Sequence, residues 1–311
     1  MITGGGALRL LDVAPPEPGP GEVRLALEGC GVCGSDLPVW TGRPWFQYPR
    51  EPGAPGHEGW GTIDAVGAGV TALHEGQRVA GLASRCYATH DVLDARRLVV
   101  LPEELDGQPF PGEALGCAIN VFRRSEIGAG DTVAIVGIGF LGAVVVQLAA
   151  RAGARVIAVS RRPFALQAAR SMGATDTVTI DQHVCDRVQE LTGGALCDVV
   201  IEAAGTQPTL DLAGPLVRVR GRLVIAGFHQ DGPRQVDMQL WNWRGLDVIN
   251  AHERDPAVYV EGIRAAATAV SHGGLDPAPL YTHRFALDHL DEALETARTR
   301  PDGFIKALVM A

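Results

Sequence analysis

The sequence predicts an α/β protein in which a β-rich domain is joined to a doubly wound parallel sheet. Up to about Pro111, short apolar runs such as "GTIDAVGAGV" and "GQRVAG" are separated by many glycines and prolines, and no long helical pattern occurs. From about Glu113 onward, strand-like and helix-like apolar segments alternate. Strict alternation of this kind requires parallel strands joined by crossover helices.

The individual elements can be predicted in order along the chain. After the turn-rich "PPEPGPG", the alternating "EVRLALEGCGV" predicts a strand, and "EALGCAINVFRRSEI" predicts a helix. The segment "DTVAIVGIGFLGAVVVQLAARAGARVIAVSRR" predicts a strand, a glycine turn, a helix and a strand. Next come helix "FALQAARSMGA", strand "TDTVTI", helix "HVCDRVQELTGG", strand "CDVVIEAAG", helix "PTLDLAGPLVRVRG" and strands "RLVIAGF" and "LDVINAH". The end, "APLYTHRFALDHLDEALETARTRPDGFIKALVMA", predicts a short strand, a helix and a last strand.

Composition limits the classes of function. The 311 residues are 46% apolar and 20% charged, as in an ordinary folded protein, and the length suggests two domains. With 36 acidic and 27 basic side chains the net charge is −9, which argues against a nucleic-acid partner. The start has no signal-peptide pattern and no window is a convincing membrane span, so we expect a cytoplasmic protein without membrane association. Six cysteines are too few for a disulfide framework, which leaves reduced thiols or metal ligands.

The segment "VAIVGIGFLG" predicts a dinucleotide-binding turn. Gly137, Gly139 and Gly142 have the G-x-G-x-x-G spacing, directly after an apolar strand and directly before an apolar helix. The first glycine permits the tight turn, the second lets the backbone approach a pyrophosphate, and the third allows close packing of helix on strand. The predicted cofactor-binding set at this turn also includes the intervening residues Ile138, Phe140 and Leu141.

The end of the next strand bears on the choice of dinucleotide. NAD sites carry an acidic residue about 20 positions beyond the turn, where this chain has Ser160, Arg161 and Arg162. A hydroxyl and two guanidinium groups suit a 2′-phosphate, because arginine pairs with phosphate through a planar fork. We therefore expect NADP to be preferred over NAD, although these arginines could instead be solvated at a helix start.

Two short motifs predict a metal site. The stretch "GCGVCGSD" contains Cys30 and Cys33, whose Cys-x-x-Cys spacing suits a structural metal knuckle, a redox pair or a single ligand with a chance neighbour. Further on, "GAPGHEGWG" places His57 and Glu58 between glycines. A thiolate, an imidazole and a carboxylate form a credible zinc ligand set.

Taken together, these motifs resemble the zinc-type medium-chain dehydrogenase/reductase family, which comprises alcohol and polyol dehydrogenases. The resemblance covers nearly the whole chain, and its motifs occur in family order: "PPEPGPGEV", "CGVCGSD", "PGHEGWGTIDAVGAGV", "GQRVAG", "GEALGCAINVFRRS", "AIVGIGFLG", "CDVVIEAAG" and "GRLVIAGF". It implies a GroES-like β-rich catalytic domain built from residues 1–118 and 283–311, and a Rossmann dinucleotide-binding domain, a doubly wound parallel sheet, built from residues 119–282.

The resemblance also implies roles for single residues. Cys33 and His57 match the catalytic zinc ligands, and Glu58 matches a neighbouring glutamate that coordinates the metal or exchanges with water. Glu113 matches the third ligand of the polyol-dehydrogenase branch, with Cys117 as the alternative. Cys30 is then expected to be a buried small side chain, and Ala204 and Gly227 are expected to contact the cofactor.

Further expectations concern the reaction. Ser35 matches the hydroxyl that takes the alcohol proton outward, Asp36 is a candidate to orient His57, and Lys306 is either close to the cofactor or solvated. One catalytic zinc and no structural zinc are expected, because the segment that holds a second zinc in many relatives carries only Cys86 here. The expected activity is hydride transfer between NAD(P) and an alcohol, polyol or sugar-like substrate by a homodimer or homotetramer. The alternatives are a zinc-free quinone or enone reductase and a non-catalytic NADPH-binding protein.

Overall fold

The computed structural model describes all 311 residues. The chain folds into two compact units, one of 1–117 with 254–311 and one of 118–253. The first boundary lies one residue from the predicted position, but the second lies at 254 rather than 283. The helix Pro256–Ser271 accounts for the difference, because its Ile263 packs against Gly112 and Gly116 of the first unit.

The first unit is built around a mixed sheet of seven strands. The strands of this unit are β1 (Ile2–Gly4), β2 (Ala7–Leu8), β3 (Glu22–Gly31), β4 (Glu58–Val66), β5 (Arg78–Gly81), β6 (His90–Asp94), β7 (Leu98–Val100), β14 (His283–Ala286) and β15 (Ala307–Met310). Its helices are α1 (Leu37–Trp40), α2 (Gly112–Ser125, whose last residues belong to the second unit), α8 (Pro256–Ser271) and α9 (Leu290–Thr299). The sheet order is β14-β15-β3-β4-β5-β7, β6 pairs with β3, and β1 and β2 form a separate hairpin.

Strand β3 is the centre of this unit. Its alternating Val23, Leu25 and Leu27 are buried, which is the period-two pattern that predicted the strand. The C-terminal strand β15 pairs with it antiparallel, with Val309 opposite Cys30. Residues from the two ends of the chain therefore share one core.

The second unit is a parallel sheet of six strands in the order β10-β9-β8-β11-β12-β13. Its strands are β8 (Thr132–Val136), β9 (Arg155–Ser160), β10 (Asp176–Thr179), β11 (Cys197–Glu202), β12 (Val217–Ile225) and β13 (Asp247–Asn250), and its helices are α3 (Phe140–Arg151), α4 (Pro163–Ser171), α5 (Val184–Leu191), α6 (Gln207–Leu216) and α7 (Met238–Arg244). The order runs outward in both directions from the central pair β8 and β11, as in a Rossmann sheet. The predicted fold class is confirmed.

Several details differ from the sequence predictions. The run "VRVRG" was included in a helix, but β12 begins at Val217, directly after a helix that carries Pro215 near its end. Alternating valines favour a strand there, and proline disfavours further helix. Helices α7 and α8, and the four-residue helix α1, were not predicted. None of the nine helices is long and apolar enough to cross a membrane.

Candidate active site

Antiparallel pairing of β3 with β4 brings the predicted metal donors together. Gly31 at the end of β3 lies opposite Glu58 at the start of β4, so Cys33 just beyond one strand approaches His57 just before the other. A Cβ atom on Gly31 would lie 1.9 Å from a carboxylate oxygen of Glu58. A glycine is therefore required opposite the glutamate.

Three potential ligand atoms converge at this point. The Cys33 sulfur, a ring nitrogen of His57 and a carboxylate oxygen of Glu58 all lie within 4.8 Å of one another. Glu113, at the start of α2, brings its Oε2 to 4.0 Å from Nε2 of His57. Ser35 Oγ lies 3.4 Å from the same nitrogen. Glu113 and Ser35 thus flank Nε2 of His57, and Cys33 and Glu58 lie within reach of the same ring.

The opposite ring nitrogen of His57 fixes the orientation of the imidazole. Nδ1 lies 2.9 Å from the Pro55 carbonyl oxygen and 3.2 Å from Oδ1 of Asp36. Because a carbonyl can only accept, Nδ1 carries the hydrogen, which leaves the Nε2 lone pair for a metal. Burial lowers the pKa of His57, but the charges of Asp36 and Cys33 outweigh it and raise that pKa well above its usual value.

Asp36 is itself held in place on its other oxygen. Oδ2 accepts hydrogen bonds from the backbone N–H of Cys33 at 2.9 Å and from the Tyr87 hydroxyl at 2.6 Å. The aspartate is fully buried. This geometry agrees with the expectation that Asp36 orients His57, and it adds Tyr87, which sequence reasoning missed.

Lys306 is buried, which contradicts the expectation that it is solvated. Its Nζ lies 2.7 Å from Oε1 and 2.5 Å from Oε2 of Glu58, and it donates to the Val32 carbonyl at 3.0 Å. Burial lowers the pKa of Lys306, but the facing Glu58 raises it, with a net upward shift. The lysine is therefore a charged partner of a candidate ligand and is not solvated.

Cys117 lies one helical turn beyond Glu113. Its thiol donates to Oε1 of Glu113 at 3.1 Å, so both candidates for the third ligand lie on one face of α2. Burial is the main cause that raises the pKa of Glu113 and raises that of Cys117 well above its usual value. Cys30 is free and fully buried, as expected for a small apolar side chain.

The glycine turn has the geometry of a phosphate-binding loop. A Cβ on Gly142 would lie 2.2 Å from the Gly137 carbonyl oxygen, and Gly137 itself has a φ of +101° and packs against Ala204. A Cβ on Gly139 would meet nothing within 4 Å. Gly139 precedes the first residue of α3, so free backbone N–H groups of that helix end adjoin this open space. The turn is completed by the predicted residues Ile138, Phe140 and Leu141.

The predicted 2′-phosphate residues lie at the end of β9. Ser160 is buried, and its hydroxyl accepts from the backbone N–H of Arg162 at 3.3 Å. The Arg162 guanidinium donates to the carbonyl of Ile138 in the glycine turn at 3.0 Å. Arg161 is exposed. One arginine therefore contacts the turn and the other extends toward solvent.

Sequence reasoning missed a buried carboxylate beside the glycine turn. Glu202 is fully buried at the end of β11, and its Oε1 accepts from the backbone N–H groups of Ala204 and Gly205, each at 2.9 Å. Its Oε2 lies 2.8 Å from Nε2 of His229 and would lie 2.4 Å from a Cβ on Gly227. The carboxylate thus joins the segments that hold Ala204 and Gly227. The available signal was an acidic residue at the end of the apolar run "CDVVIE".

Comparison with known proteins matches both units. A family model described as "Alcohol dehydrogenase GroES-like domain" matches residues 19–118, and one described as "Zinc-binding dehydrogenase" matches residues 141–268.

Individual relatives extend the match over almost the whole chain. Sorbitol dehydrogenase of Gallus gallus is 29% identical, covering 94% of this chain and 91% of its own. The 5-exo-hydroxycamphor dehydrogenase of Pseudomonas putida is 30% identical, covering 91% and 90%. The crystal structure of 2R,3R-butanediol dehydrogenase from Bacillus subtilis superposes with a TM-score of 0.85 at 25% identity, covering 99% and 98%. Sequence, fold and donor geometry agree, and the chain belongs to the zinc-type medium-chain dehydrogenase/reductase family of alcohol and polyol dehydrogenases, which are NAD(P)-dependent oxidoreductases.

Proposed function

We propose that this chain is a zinc-dependent, NADP-preferring dehydrogenase that interconverts a polyol or sugar-like alcohol and its carbonyl form. The observation that carries the proposal is the convergence of Cys33, His57 and Glu58 within 4.8 Å, with Glu113 next to them. One sulfur, one imidazole nitrogen and carboxylate oxygens are donors that zinc prefers, so the residues present fit this metal.

Each donor has a distinct proposed part. Cys33, His57 and Glu113 would hold the zinc, and Glu58 would be the fourth donor, the one that can give way to water. The ion pair with Lys306 supports this assignment. A carboxylate that keeps its ion pair with an ammonium group loses less electrostatic stabilisation when it dissociates from a metal. Bound zinc would supply a Lewis acid that lowers the pKa of a substrate hydroxyl.

The remaining residues orient the site and move the proton. Asp36 holds His57 with its Nε2 available, and Tyr87 holds Asp36. The Ser35 hydroxyl would take the proton of the substrate hydroxyl, and its distance of 3.4 Å from that nitrogen supports this role. The nicotinamide cofactor supplies the hydride chemistry.

The proposed cofactor site is the turn Gly137–Gly142 with the strand ends around it. The open space beside Gly139 would receive the pyrophosphate at the start of α3. Ala204 and Gly227 would line the cofactor on the next strand ends. Ser160, Arg161 and Arg162 would receive the 2′-phosphate of NADP, since no carboxylate occupies this position.

A turnover assay with metal removal tests the proposal. We expect purified protein to reduce NADP⁺ with at least one member of a panel of polyols, cyclitols and simple alcohols, to lose this activity on chelation, and to regain it with zinc. Reduction of quinones or enones by metal-free protein would instead indicate the zinc-free reductase. Binding of NADPH without turnover of any alcohol or carbonyl would indicate a non-catalytic binding protein.

We also propose that the chain forms a homodimer or homotetramer in the cytoplasm. The supporting observation for assembly is β13, which is an edge strand of the parallel sheet and carries the exposed Val248. An unpaired strand edge is a ready template for pairing with a second copy. Six free cysteines support a reducing compartment.

A further inference from the structure

The thiol of Cys117 holds one oxygen of Glu113. Cys117 Sγ donates its single hydrogen to Oε1 of Glu113 at 3.1 Å. Tyr259 on the neighbouring helix α8 lies close to this pair, because burial is the main cause that raises the pKa of its hydroxyl and the charges of Cys117 and Glu113 contribute.

Close helix packing fixes this arrangement. A Cβ on Gly116 would lie 2.8 Å from both the backbone nitrogen and a side-chain carbon of Ile263, so α2 and α8 approach each other at a glycine. Ile263 lies one turn after Tyr259 on α8, just as Cys117 lies one turn after Glu113 on α2. Residues four apart share a helix face. Tyr259 therefore lies on the face of α8 that packs against α2, near Cys117.

The hydrogen bond from Cys117 gives the two carboxylate oxygens of Glu113 different partners. Oε1 is occupied by the thiol, whereas Oε2 faces His57 at 4.0 Å. Without the bond, the carboxylate could rotate about its side-chain torsions and present either oxygen or neither. Partners of this kind orient metal ligands, and their loss typically costs about 10- to 100-fold in metal affinity.

We propose that Cys117 is a positioning residue that presents Oε2 of Glu113 to the metal, and that it is not itself a ligand. This inference rests on the proposed zinc site, and it assigns a function to a thiol that could otherwise be taken as the third donor.

Cobalt substitution separates the two roles of Cys117. Chelator-stripped full-length protein is titrated with Co²⁺, and two quantities are measured: the dissociation constant by chelator competition, and the thiolate-to-cobalt charge-transfer absorbance per bound ion. We expect Cys117→Ala to weaken binding about 10- to 100-fold with unchanged absorbance per bound ion. Cys117→Ser should restore much of the affinity, because its hydroxyl can donate to Glu113. Tyr259→Phe should weaken binding less than Cys117→Ala.

Two further variants calibrate the measurement. Cys33→Ser should abolish the charge-transfer band, and Cys185→Ser, a half-buried thiol of the other unit, should match the wild type in both quantities. A fall of about half in absorbance per bound ion in both Cys117 variants would overturn the proposal, since it would make Cys117 a ligand. Unchanged affinity in Cys117→Ala would also overturn it. If the wild type binds no stoichiometric Co²⁺, the proposed zinc function itself fails.

Discussion

At the scale of single residues, the environment of Glu58 decides what this glutamate can do. Its carboxylate is buried, and both oxygens lie within 2.7 Å of the Lys306 ammonium. A buried ion pair adds little net stability compared with an apolar pair, but removal of one partner leaves an uncompensated charge. The lysine therefore supplies the opposite charge that this buried carboxylate requires.

Replacement of Lys306 by methionine should destabilise the protein strongly. The unpaired Glu58 would have to remain charged in a dry environment or take up a proton, and we expect a loss of roughly 3 to 5 kcal/mol in the free energy of unfolding. Urea denaturation of chelator-treated protein measures this loss. The double variant Glu58→Gln/Lys306→Met should recover most of it. A single variant as stable as the wild type would show that the pair is not buried as described.

Arg161 should control the choice of cofactor. Its side chain is exposed at the end of β9, whereas Arg162 contacts the glycine turn. A hydrogen bond to a charged group is worth about 1.5 to 3 kcal/mol, so Arg161→Ala should weaken NADPH binding by roughly 10- to 100-fold. NADH, which lacks the 2′-phosphate, should bind as before. Fluorescence titration with both cofactors checks this, and an equal loss for both would refute a role in phosphate recognition.

At the scale of elements, two glycines of the turn Gly137–Gly142 have different roles, one in folding and one in cofactor binding. Gly142 faces a backbone carbonyl oxygen at a distance that no Cβ tolerates, whereas Gly139 faces open space. The sequence motif predicts approach of a pyrophosphate at Gly139 and close packing at Gly142, and the surroundings of the two glycines differ in the same way. One is needed to close the helix on the strand, and the other leaves room for a ligand.

A pair of alanine substitutions tests this division. Gly142→Ala should lower the melting temperature markedly, because the 2.2 Å approach to the Gly137 carbonyl oxygen forces the backbone to move. Gly139→Ala should leave the melting temperature of the cofactor-free protein within about 2 °C of the wild type, since the surroundings are open. It should nevertheless weaken NADPH binding at least 10-fold, because the methyl group would fill the proposed pyrophosphate position. Tight NADPH binding by Gly139→Ala would contradict the placement.

Most elements could be predicted from the sequence, because the pattern of apolar residues that identifies each one lies within a short stretch of chain. Alternation of apolar and polar residues predicted β3, and an apolar strand followed by glycines and an apolar helix predicted β8 and α3. The strand Val217–Ile225 was partly misassigned, since "LVRVRG" continues an apolar pattern with no break other than Pro215. The local sequence does not reveal where a helix stops and an adjoining strand begins when no loop separates them.

The site was less predictable than the fold, for a similar reason. Cys33, His57 and Glu58 lie in recognisable motifs, but Lys306 is 248 positions from its partner Glu58. The burial of the Lys306 ammonium group depends on the pairing of β15 with β3, and no local sequence pattern predicts that pairing. The direction of each carboxylate oxygen of Glu113 likewise depends on the folded structure, since Oε1 accepts from Cys117 and Oε2 faces His57, 56 positions away in the chain.

At the scale of the whole molecule, the first and last parts of the chain build one unit. Strands β14 and β15 return to the sheet that holds the metal donors, and Lys306 lies directly before β15. The C-terminal segment therefore contributes both a sheet strand and a charge to the candidate site. The Rossmann unit ends in the edge strand β13, which we propose as the contact between copies.

A matched pair of valine substitutions tests the proposed assembly. Val248 on β13 and Val100 on β7 are each 41% exposed. Val248→Lys should convert the assembly to a smaller species in light scattering after size-exclusion chromatography, because lysine on a strand edge opposes pairing with a second strand. Val100→Lys should leave the mass unchanged. If both variants keep the mass of the wild-type assembly, β13 is not the contact.

X-ray absorption at the zinc edge of the purified wild-type protein tests the central claim most directly. The account predicts about one zinc per chain, with a single sulfur neighbour at about 2.3 Å from Cys33 and nitrogen or oxygen neighbours at about 2.0 to 2.2 Å from the histidine, carboxylates or water. Protein without zinc, or zinc surrounded by two or more sulfur atoms, would contradict it.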